Sequence, residues 1–412
     1  MGWVEHAVWW QVYPLGFVGA ADEDPADAPA DAHRLLRLVD WLDYARDLGV
    51  SGIALGPIFA SSTHGYDTTD YFAIDPRLGT ADDFRTLVEA AHERGLRVLL
   101  DGVFNHVGRA HPFVTDDPAM LARREDGSFE VFEGHDSLVA LDHSSPAVAA
   151  LVTDVMSHWL DAGADGWRLD AAYAVPPSFW RPVLAAVRER HPDVYVVGEV
   201  IHGDYPAIVA ESGMDAVTQY ELWKAIWSAI ATRNWWELAW SLDRHSVFVE
   251  AFAPWTFVGN HDVTRIASQV DDLAHALVVL FTVGGTPAVY YGDEQAFRGV
   301  KEERFGGDDA IRPSFPASPA ELAPDGWWAY RLHQELIGLR RRHPWLHRAT
   351  TRTIELTNEH LLYEARAGDD ALLVALNLAD EPWSPPVGAA AVLAGTGPQL
   401  PPHGWAILEP AP

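Results

Sequence analysis

Between Val8 and Arg342 a short apolar run is followed, about eight times, by a longer amphipathic one. No other feature constrains the fold as strongly. A strand buried on both faces reads as a near-continuous apolar run, whereas the helix that carries the chain back reads with a period of 3.6. Such long returns are what parallel strands require. The strand candidates are Val8 to Tyr13, Gly52 to Leu55, Leu96 to Asp101, Gly166 to Asp170, Val194 to Glu199, Asp215 to Thr218, Trp255 to Val258 and Ala288 to Tyr291. Between them, His33 to Leu48 places Leu35, Leu36, Val39, Leu42 and Ala45 on one helical side, with Gly49 as its stop. Thr80 to Arg94 reads as a helix capped by Thr80, with Asp82 and Asp83 in the first turn and Gly95 at the end. Pro146 to Ala162, Ser178 to Arg190, a Trp-rich stretch after the sixth strand, Asp271 to Val283 and Trp327 to Arg342 continue the series.

The expected fold class is therefore α/β, a parallel (β/α)8 TIM barrel. Two departures interrupt it. After the third strand the chain turns rich in Asp, Glu, His, Pro and Gly, which marks a short insertion over residues 107–144. From about Thr350 onward the runs become short and are separated by Gly, Pro and Asp, as at Leu361 to Glu364, Ala371 to Leu378, Ala390 to Leu393 and Ala406 to Leu408. That pattern predicts a C-terminal antiparallel β-domain at 349–412, leaving 1–106 and 145–348 for the barrel.

Composition removes whole classes of function. Acids outnumber bases 59 to 29 in 412 residues, for a formal charge of −30. Such a surface repels phosphate backbones and anionic lipid, so neither nucleic acid nor a membrane is an expected partner. Solubility or salt tolerance is the plain reading of the acidity, and Asp22-Glu23-Asp24 reads as a solvated loop. There is no cysteine, hence no disulfide, thiolate metal site or thiol nucleophile. No run of roughly 18 apolar residues appears and the start lacks a basic n-region, so a cytoplasmic location is expected.

Four strand ends carry acids: Asp101, Asp170, Glu199 and, slightly past its strand, Asp262. In a barrel all of these converge on one rim, and four carboxylates repel one another unless chemistry requires them. Arg168 and Asp170 are two apart on a strand and so share a face, which favours an ionised Asp170. Glu199 follows the apolar lead Tyr195-Val-Val-Gly198, which predicts a desolvated carboxyl suited to donating a proton. One ionised and one protonated carboxyl are what glycosidic bond cleavage needs. His106 and His261 stand beside two of these strand ends, placed to meet sugar hydroxyls.

Several blocks, in order, resemble glycoside hydrolase family 13, the α-amylase family. They are Trp10-Gln-Val-Tyr-Pro14, His64-Gly-Tyr66-Asp67 with Asp70-Tyr71, Asp101-Gly-Val-Phe-Asn105-His106, Gly166-Trp-Arg168-Leu-Asp170, Gly198-Glu199-Val, Phe257-Val-Gly-Asn260-His261-Asp262 and Pro287 to Glu294. The resemblance is nearest to cyclomaltodextrinase, neopullulanase and α-amylase-like members. It implies a retaining mechanism with Asp170 as nucleophile, Glu199 as acid/base and Asp262 as transition-state stabiliser. By the same resemblance Tyr66 stacks on the sugar, while His64, His106, Arg168 and His261 bind its hydroxyls. Asp308 and Arg312 resemble a pair that grips the next sugar.

Endo-acting relatives often carry Lys-His shortly after the nucleophile, where it grips the leaving group and helps hold calcium. Tyr173 and Ala174 occupy those positions, so no calcium site is supported and no soluble cofactor is expected. The resulting expectation is an enzyme hydrolysing α-glucosidic bonds in short α-glucans such as malto-oligosaccharides or cyclodextrins. A transglycosylase using the same intermediate is the alternative, and a non-catalytic carbohydrate-binding member the remote one. Trp223, Trp227, Trp235, Trp236 and Trp240 read either as core or as a stacking platform for further sugar units.

Overall fold

The computed structural model describes residues 2–411 apart from Ala30 and Phe305. In chain order the strands are β1 (Trp9–Val12), β2 (Gly52–Leu55), β3 (Phe59–Ser61), β4 (Thr68–Ile74), β5 (Arg97–Gly102), β6 (His106–Gly108), β7 (Leu138–Ala140), β8 (Gly166–Leu169), β9 (Tyr195–Gly198), β10 (Ala216–Val217), β11 (Trp255–Phe257), β12 (Thr286–Tyr290), β13 (Thr350–Leu356), β14 (His360–Ala367), β15 (Asp370–Asn377), β16 (Ala389–Gly395) and β17 (Trp405–Pro410). The α-helices are α1 (Pro14–Phe17), α2 (Leu42–Leu48), α3 (Ala81–Glu93), α4 (Pro146–Asp161), α5 (Pro177–Arg190), α6 (Tyr205–Ser212), α7 (Tyr220–Ala231), α8 (Trp236–Ala251), α9 (Ile266–Gln269), α10 (Leu273–Thr282) and α11 (Trp327–Arg342).

Eight strands form one sheet in the order β10-β9-β8-β5-β2-β1-β12-β11, all pairs parallel. A parallel bridge between Thr218 and Trp255 joins its two edges, and the Gln219 backbone N–H donates to the Trp255 carbonyl at 2.9 Å. The sheet is thereby closed into the expected barrel. Its interior is filled by rings: Trp9 stacks on Tyr195 at 6.1 Å and on Trp255 at 5.8 Å. A Cβ at Gly52 would lie 2.6 Å from the Trp9 ring, so this strand position has to be glycine for the indole to fit.

The remaining strands are antiparallel. The hairpin β3–β4 follows β2, the ribbon β6–β7 brackets the insertion, and the last five strands form a separate sheet ordered β13-β14-β15-β17-β16. That sheet leans on the barrel through α8, where Thr351 N–H donates to Ser246 Oγ at 2.8 Å.

Local chemistry explains most boundaries. Thr80 caps α3 in a reciprocal capping box with Asp83, and Gly49 ends α2 in the left-handed region at φ 101°. The stretch from His33 differs from expectation, because Arg34–Trp41 is a 3-10 helix and only Leu42–Leu48 is α-helical. Its buried residues Leu35, Leu38 and Trp41 recur every three positions, which matches three residues per turn better than 3.6. Neither the β3–β4 hairpin nor β13 is expected from the apolar pattern. β13 reads Thr-Thr-Arg-Thr-Ile-Glu-Leu, an edge strand only partly buried, so its strand signal is β-branching rather than hydrophobicity. The tryptophans divide between their two readings: Trp223 and Trp227 pack on the core and Trp235 is buried, whereas Trp236 and Trp240 are 55% and 60% exposed.

Among the described residues no helix is long and apolar enough to cross a membrane.

Candidate active site

Parallel register brings the acids together. Asp101 is paired with Arg168 across β5 and β8, and Leu169 with Gly198 across β8 and β9. Asp170 and Glu199 each follow their strand by one residue, so they emerge side by side on the rim formed by the strands' C-terminal ends. All three, and Arg168 between them, are buried.

Arg168 is the hub. One of its terminal nitrogens, Nη1, donates to both oxygens of Asp101, at 2.8 and 2.6 Å, and to Asp170 Oδ1 at 3.2 Å. The other, Nη2, lies 2.9 Å from Glu199 Oε1. Glu199 also accepts from the Ala171 backbone N–H at 3.0 Å and from the Tyr220 hydroxyl at 3.1 Å. Ala171 is held at φ 44°, a left-handed conformation that a non-glycine residue adopts only when its surroundings impose it. Here it aims an N–H at a carboxylate on the next strand.

Asp262 comes from the loop after β11 and faces this group from the other side. Its oxygens meet His261 Nε2 and Arg312 Nη2, both at 2.9 Å. Arg312 also reaches Asp308 at 2.9 Å and donates from Nε to the His261 carbonyl. Tyr66, at the tip of the β3–β4 hairpin, links the halves: its hydroxyl contacts Asp101 at 3.3 Å and His261 Nε2. The Tyr66 and His261 rings lie parallel, 5.4 Å apart. His106 donates from Nε2 to the Tyr66 carbonyl at 3.0 Å, and His64 Nδ1 accepts from the Tyr66 N–H at 3.2 Å. The ten residues to which the resemblance gives a role thus belong, with Asp101, to one connected network.

Electrostatics distinguish the acids. Burial alone would raise the Asp262 carboxyl, but His261, Arg312 and Arg168 outweigh it and hold the group well below the usual carboxylate range. Asp170 goes the other way. Its burial, reinforced by Glu199, Asp101 and Asp262, pushes it well above that range against the opposition of Arg168. This departs from the sequence reading, in which Arg168 keeps Asp170 ionised. Burial is the main cause, and Arg168 opposes it while shared among three carboxylates, with its shortest contacts to Asp101. Burial likewise raises Asp101 despite Arg168. The apolar surroundings expected for Glu199 are also corrected: it is buried, yet three donors address its oxygens. Burial pushes His106 down to about 4, so it is neutral at neutral pH and can donate through Nε2.

Some site residues escape the sequence reading. Tyr220 joins Glu199 to Asn260, whose Nδ2 donates to the tyrosine oxygen at 2.9 Å while its Oδ1 accepts from the Asp262 N–H at 2.8 Å. Its only sequence signal is position, two residues past the sixth strand's Thr218. Gln11 Nε2, from β1, sits 3.4 Å from His261 Nδ1. The insertion contributes Phe132, stacked on His106 at 4.8 Å, and Glu133, which accepts from the Tyr173 hydroxyl at 2.7 Å.

Asn105 donates its amide to His106 Nδ1, and Tyr173 is engaged with Glu133. Among the described residues no group of three or more His, Asp or Glu is arranged to hold a metal ion.

Comparison with known proteins decides the family. A sequence model described as "Alpha amylase, catalytic domain" matches residues 11–125 and 122–323. The chain belongs to the α-amylase family. This family of glycoside hydrolases includes a cyclomaltodextrinase of Geobacillus thermopakistaniensis, 30% identical over 92% of this chain and 70% of that protein. An intracellular maltogenic amylase of Bacillus subtilis is 32% identical over 73% of this chain and 57% of its own length. The α-amylase-family chain thus spans between about half and three quarters of these relatives. Among solved structures, a Nostoc punctiforme debranching enzyme soaked with acarbose superposes with a TM-score of 0.81 at 25% identity, covering 99% of this chain and 98% of the other. A cyclomaltodextrinase structure gives 0.82 at 27% identity, covering 99% and 79%.

Proposed function

We propose that this α-amylase-family protein is a retaining glycoside hydrolase cleaving α-glucosidic bonds in short α-glucans, malto-oligosaccharides or cyclodextrins. The observation that carries the reading is a single guanidinium, Arg168, spanning Asp170 and Glu199 on adjacent strand ends, with Asp262 facing them. The names of its relatives, cyclomaltodextrinase and maltogenic amylase, support the substrate class.

In this reading Glu199 donates its proton to the glycosidic oxygen as an Asp170 oxygen bonds to the anomeric carbon, releasing the leaving sugar. Water then attacks the same carbon and gives a proton to Glu199, and the bond to Asp170 breaks. Asp262, kept charged by His261 and Arg312, offsets the positive charge that builds on the ring. Turnover starts with Asp170 ionised against the effect of its burial. Tyr66, His64, His106, Arg168 and His261 surround the sugar on the non-reducing side of the broken bond, and Asp308 and Arg312 grip the next sugar. A cytoplasmic setting belongs to the same reading, supported by the intracellular relative.

The test is to trap the intermediate with a 5-fluoro-α-glucosyl fluoride and map the adduct by peptide mass spectrometry. A glycosyl mass on the peptide containing Asp170 is expected. Steady hydrolysis of maltotriose with inverted anomeric products and no adduct overturns the mechanism. Transfer to a sugar acceptor is a second reading, favoured by the ring cluster of Phe132, Tyr173 and His202, in which the Tyr173 backbone N–H donates to the Glu199 carbonyl at 3.2 Å.

A further inference from the structure

Behind the loop that carries Asp262 lies a buried ion pair that the proposed chemistry does not use. Arg265 Nη1 is 2.8 Å from Asp293 Oδ1, and the two side chains are 0% and 1% exposed. Arg265 stands three residues after Asp262, and Asp293 opens the 3-10 turn Asp293–Gln295 that follows β12. Two glycines make room for the pair. A Cβ at Gly259 would lie 2.1 Å from Asp293 Oδ2, and one at Gly292, held at φ 91°, would lie 3.0 Å from Arg265 Nη1. In glycine a hydrogen takes that place, so the Gly259 Cα–H faces the carboxylate. Asp293 Oδ2 has no hydrogen-bond partner among the described residues, and neither has Arg265 Nε.

From this pair, contacts run to both segments that hold Asp262. Arg265 Nη2 donates to the Ile311 carbonyl at 2.9 Å, and the Tyr290 hydroxyl donates to the same oxygen at 3.0 Å. The next residue is Arg312, whose Nη2 donates to Asp262 Oδ1 and whose Nε donates to the His261 carbonyl, both at 2.9 Å. Arg265 Nη1 also donates to the Tyr291 carbonyl at 2.9 Å, which ties the guanidinium to the end of β12. One guanidinium thus holds loop 259–265 and the segment bearing Arg312 against each other, and the Asp293 carboxylate stops the loop at Gly259.

A buried ion pair contributes little net stability compared with apolar side chains of similar volume. What it adds is fixed direction. Resting on the proposed retaining mechanism, we infer that Asp293 and Arg265 are positioning residues that set where Asp262 stands relative to Arg312 and the reacting sugar. Asp262 acts on charge that builds in the transition state, so an error in its placement lowers kcat and spares ground-state binding. A misplacement of about 1 Å caused from outside the site costs on the order of a hundredfold in rate.

The experiment uses Asp293→Asn, which keeps the shape and removes the charge, and Gly259→Ala, which keeps the pair and sets a methyl against Oδ2. In both, kcat for maltotriose and for α-maltosyl fluoride falls roughly ten- to a hundredfold, with KM within about twofold of wild type. Affinity for 1-deoxynojirimycin, a cationic iminosugar, falls alongside kcat, while affinity for maltose holds. A merely structural role would not separate the cation from the neutral sugar. Arg265→Lys, which keeps the charge, retains more kcat than Arg265→Met. Where Asp293→Asn does not fold, Asp293→Leu combined with Arg265→Met replaces the pair by apolar groups and carries the same test. Wild-type kcat in these folded variants, or equal losses of iminosugar and maltose affinity, overturns the inference while the mechanism stands. Failure of every variant to fold assigns the pair to stability alone and overturns it too. Wild-type protein that turns over neither substrate overturns the proposed function and this inference with it.

Discussion

The Arg168 guanidinium lies 2.6 Å from Asp101 but 3.2 Å from Asp170, so the arginine two residues before the proposed nucleophile is held mainly by a different acid. Asp101 thereby weakens the support Arg168 gives to a charged Asp170, and adds its own repulsion.

This relationship sets the acid side of the pH profile. Because burial raises Asp170, activity requires deprotonation of a group above the ordinary carboxylate value of about 4, and the acid limb of kcat/KM lies correspondingly high. Asp101→Asn removes a negative charge and frees Arg168, so the limb shifts to lower pH even as the maximal rate falls. A limb that stays put in Asp101→Asn rules out this account of the shift.

Glu199→Gln separates the two chemical steps. Loss of a general acid costs on the order of 10²–10⁴ in rate when the leaving group is a sugar, and far less when it is fluoride. Kinetics on maltotriose and α-maltosyl fluoride read the difference directly. Equal losses on both would assign Glu199 another role.

Tyr220→Phe removes one donor to Glu199 and one link to Asn260 without opening a cavity. A hydrogen bond of this kind contributes about 1 kcal/mol, so kcat should drop roughly fivefold with KM nearly unchanged. A change confined to KM places Tyr220 in sugar binding instead.

Stability should fall on the acid side of neutrality. His106, His111, His245, His333 and His347 are each pushed by burial down to about 4. A histidine with a depressed folded pKa stays neutral in the fold but charges in the unfolded chain below about 6.5, so stability is lost as pH drops from there toward 4. Asp293 and Glu294, raised by burial to about 6 and about 7, act oppositely, binding protons in the fold that the unfolded chain releases. With His64, His143, His275 and His343 also lowered, nine histidines stand against five raised acids, Asp101, Asp170, Asp215, Asp293 and Glu294, and thermal unfolding scans between pH 7 and 4.5 should show a falling Tm. His333→Leu removes one such group, whose buried Nε2 has no hydrogen-bond partner among the described residues, and flattens the slope. An unchanged slope would exclude His333 as a contributor.

Much of the barrel is written in short-range pattern. Apolar runs of four to six residues, the Thr80 cap and the Gly49 stop depend only on neighbours within one or two turns, so they are visible before any folding is known. The acids at the strand ends are visible for the same reason, since a strand's last residue is a local property. The spacing of Leu35, Leu38 and Trp41 was equally available, but a period of three and a period of 3.6 differ little over two turns.

By itself the sequence determined the alternation of strands and helices, the acids that terminate the strands, and the family to which those blocks belong. Only the tertiary structure decided how one arginine is divided among three carboxylates, which tyrosine reaches Glu199, and where the insertion touches the β8 loop. Those contacts join residues 67, 21 and 40 positions apart. Their geometry follows from barrel closure and strand register, which are set by the packing of the whole core rather than by local spacing.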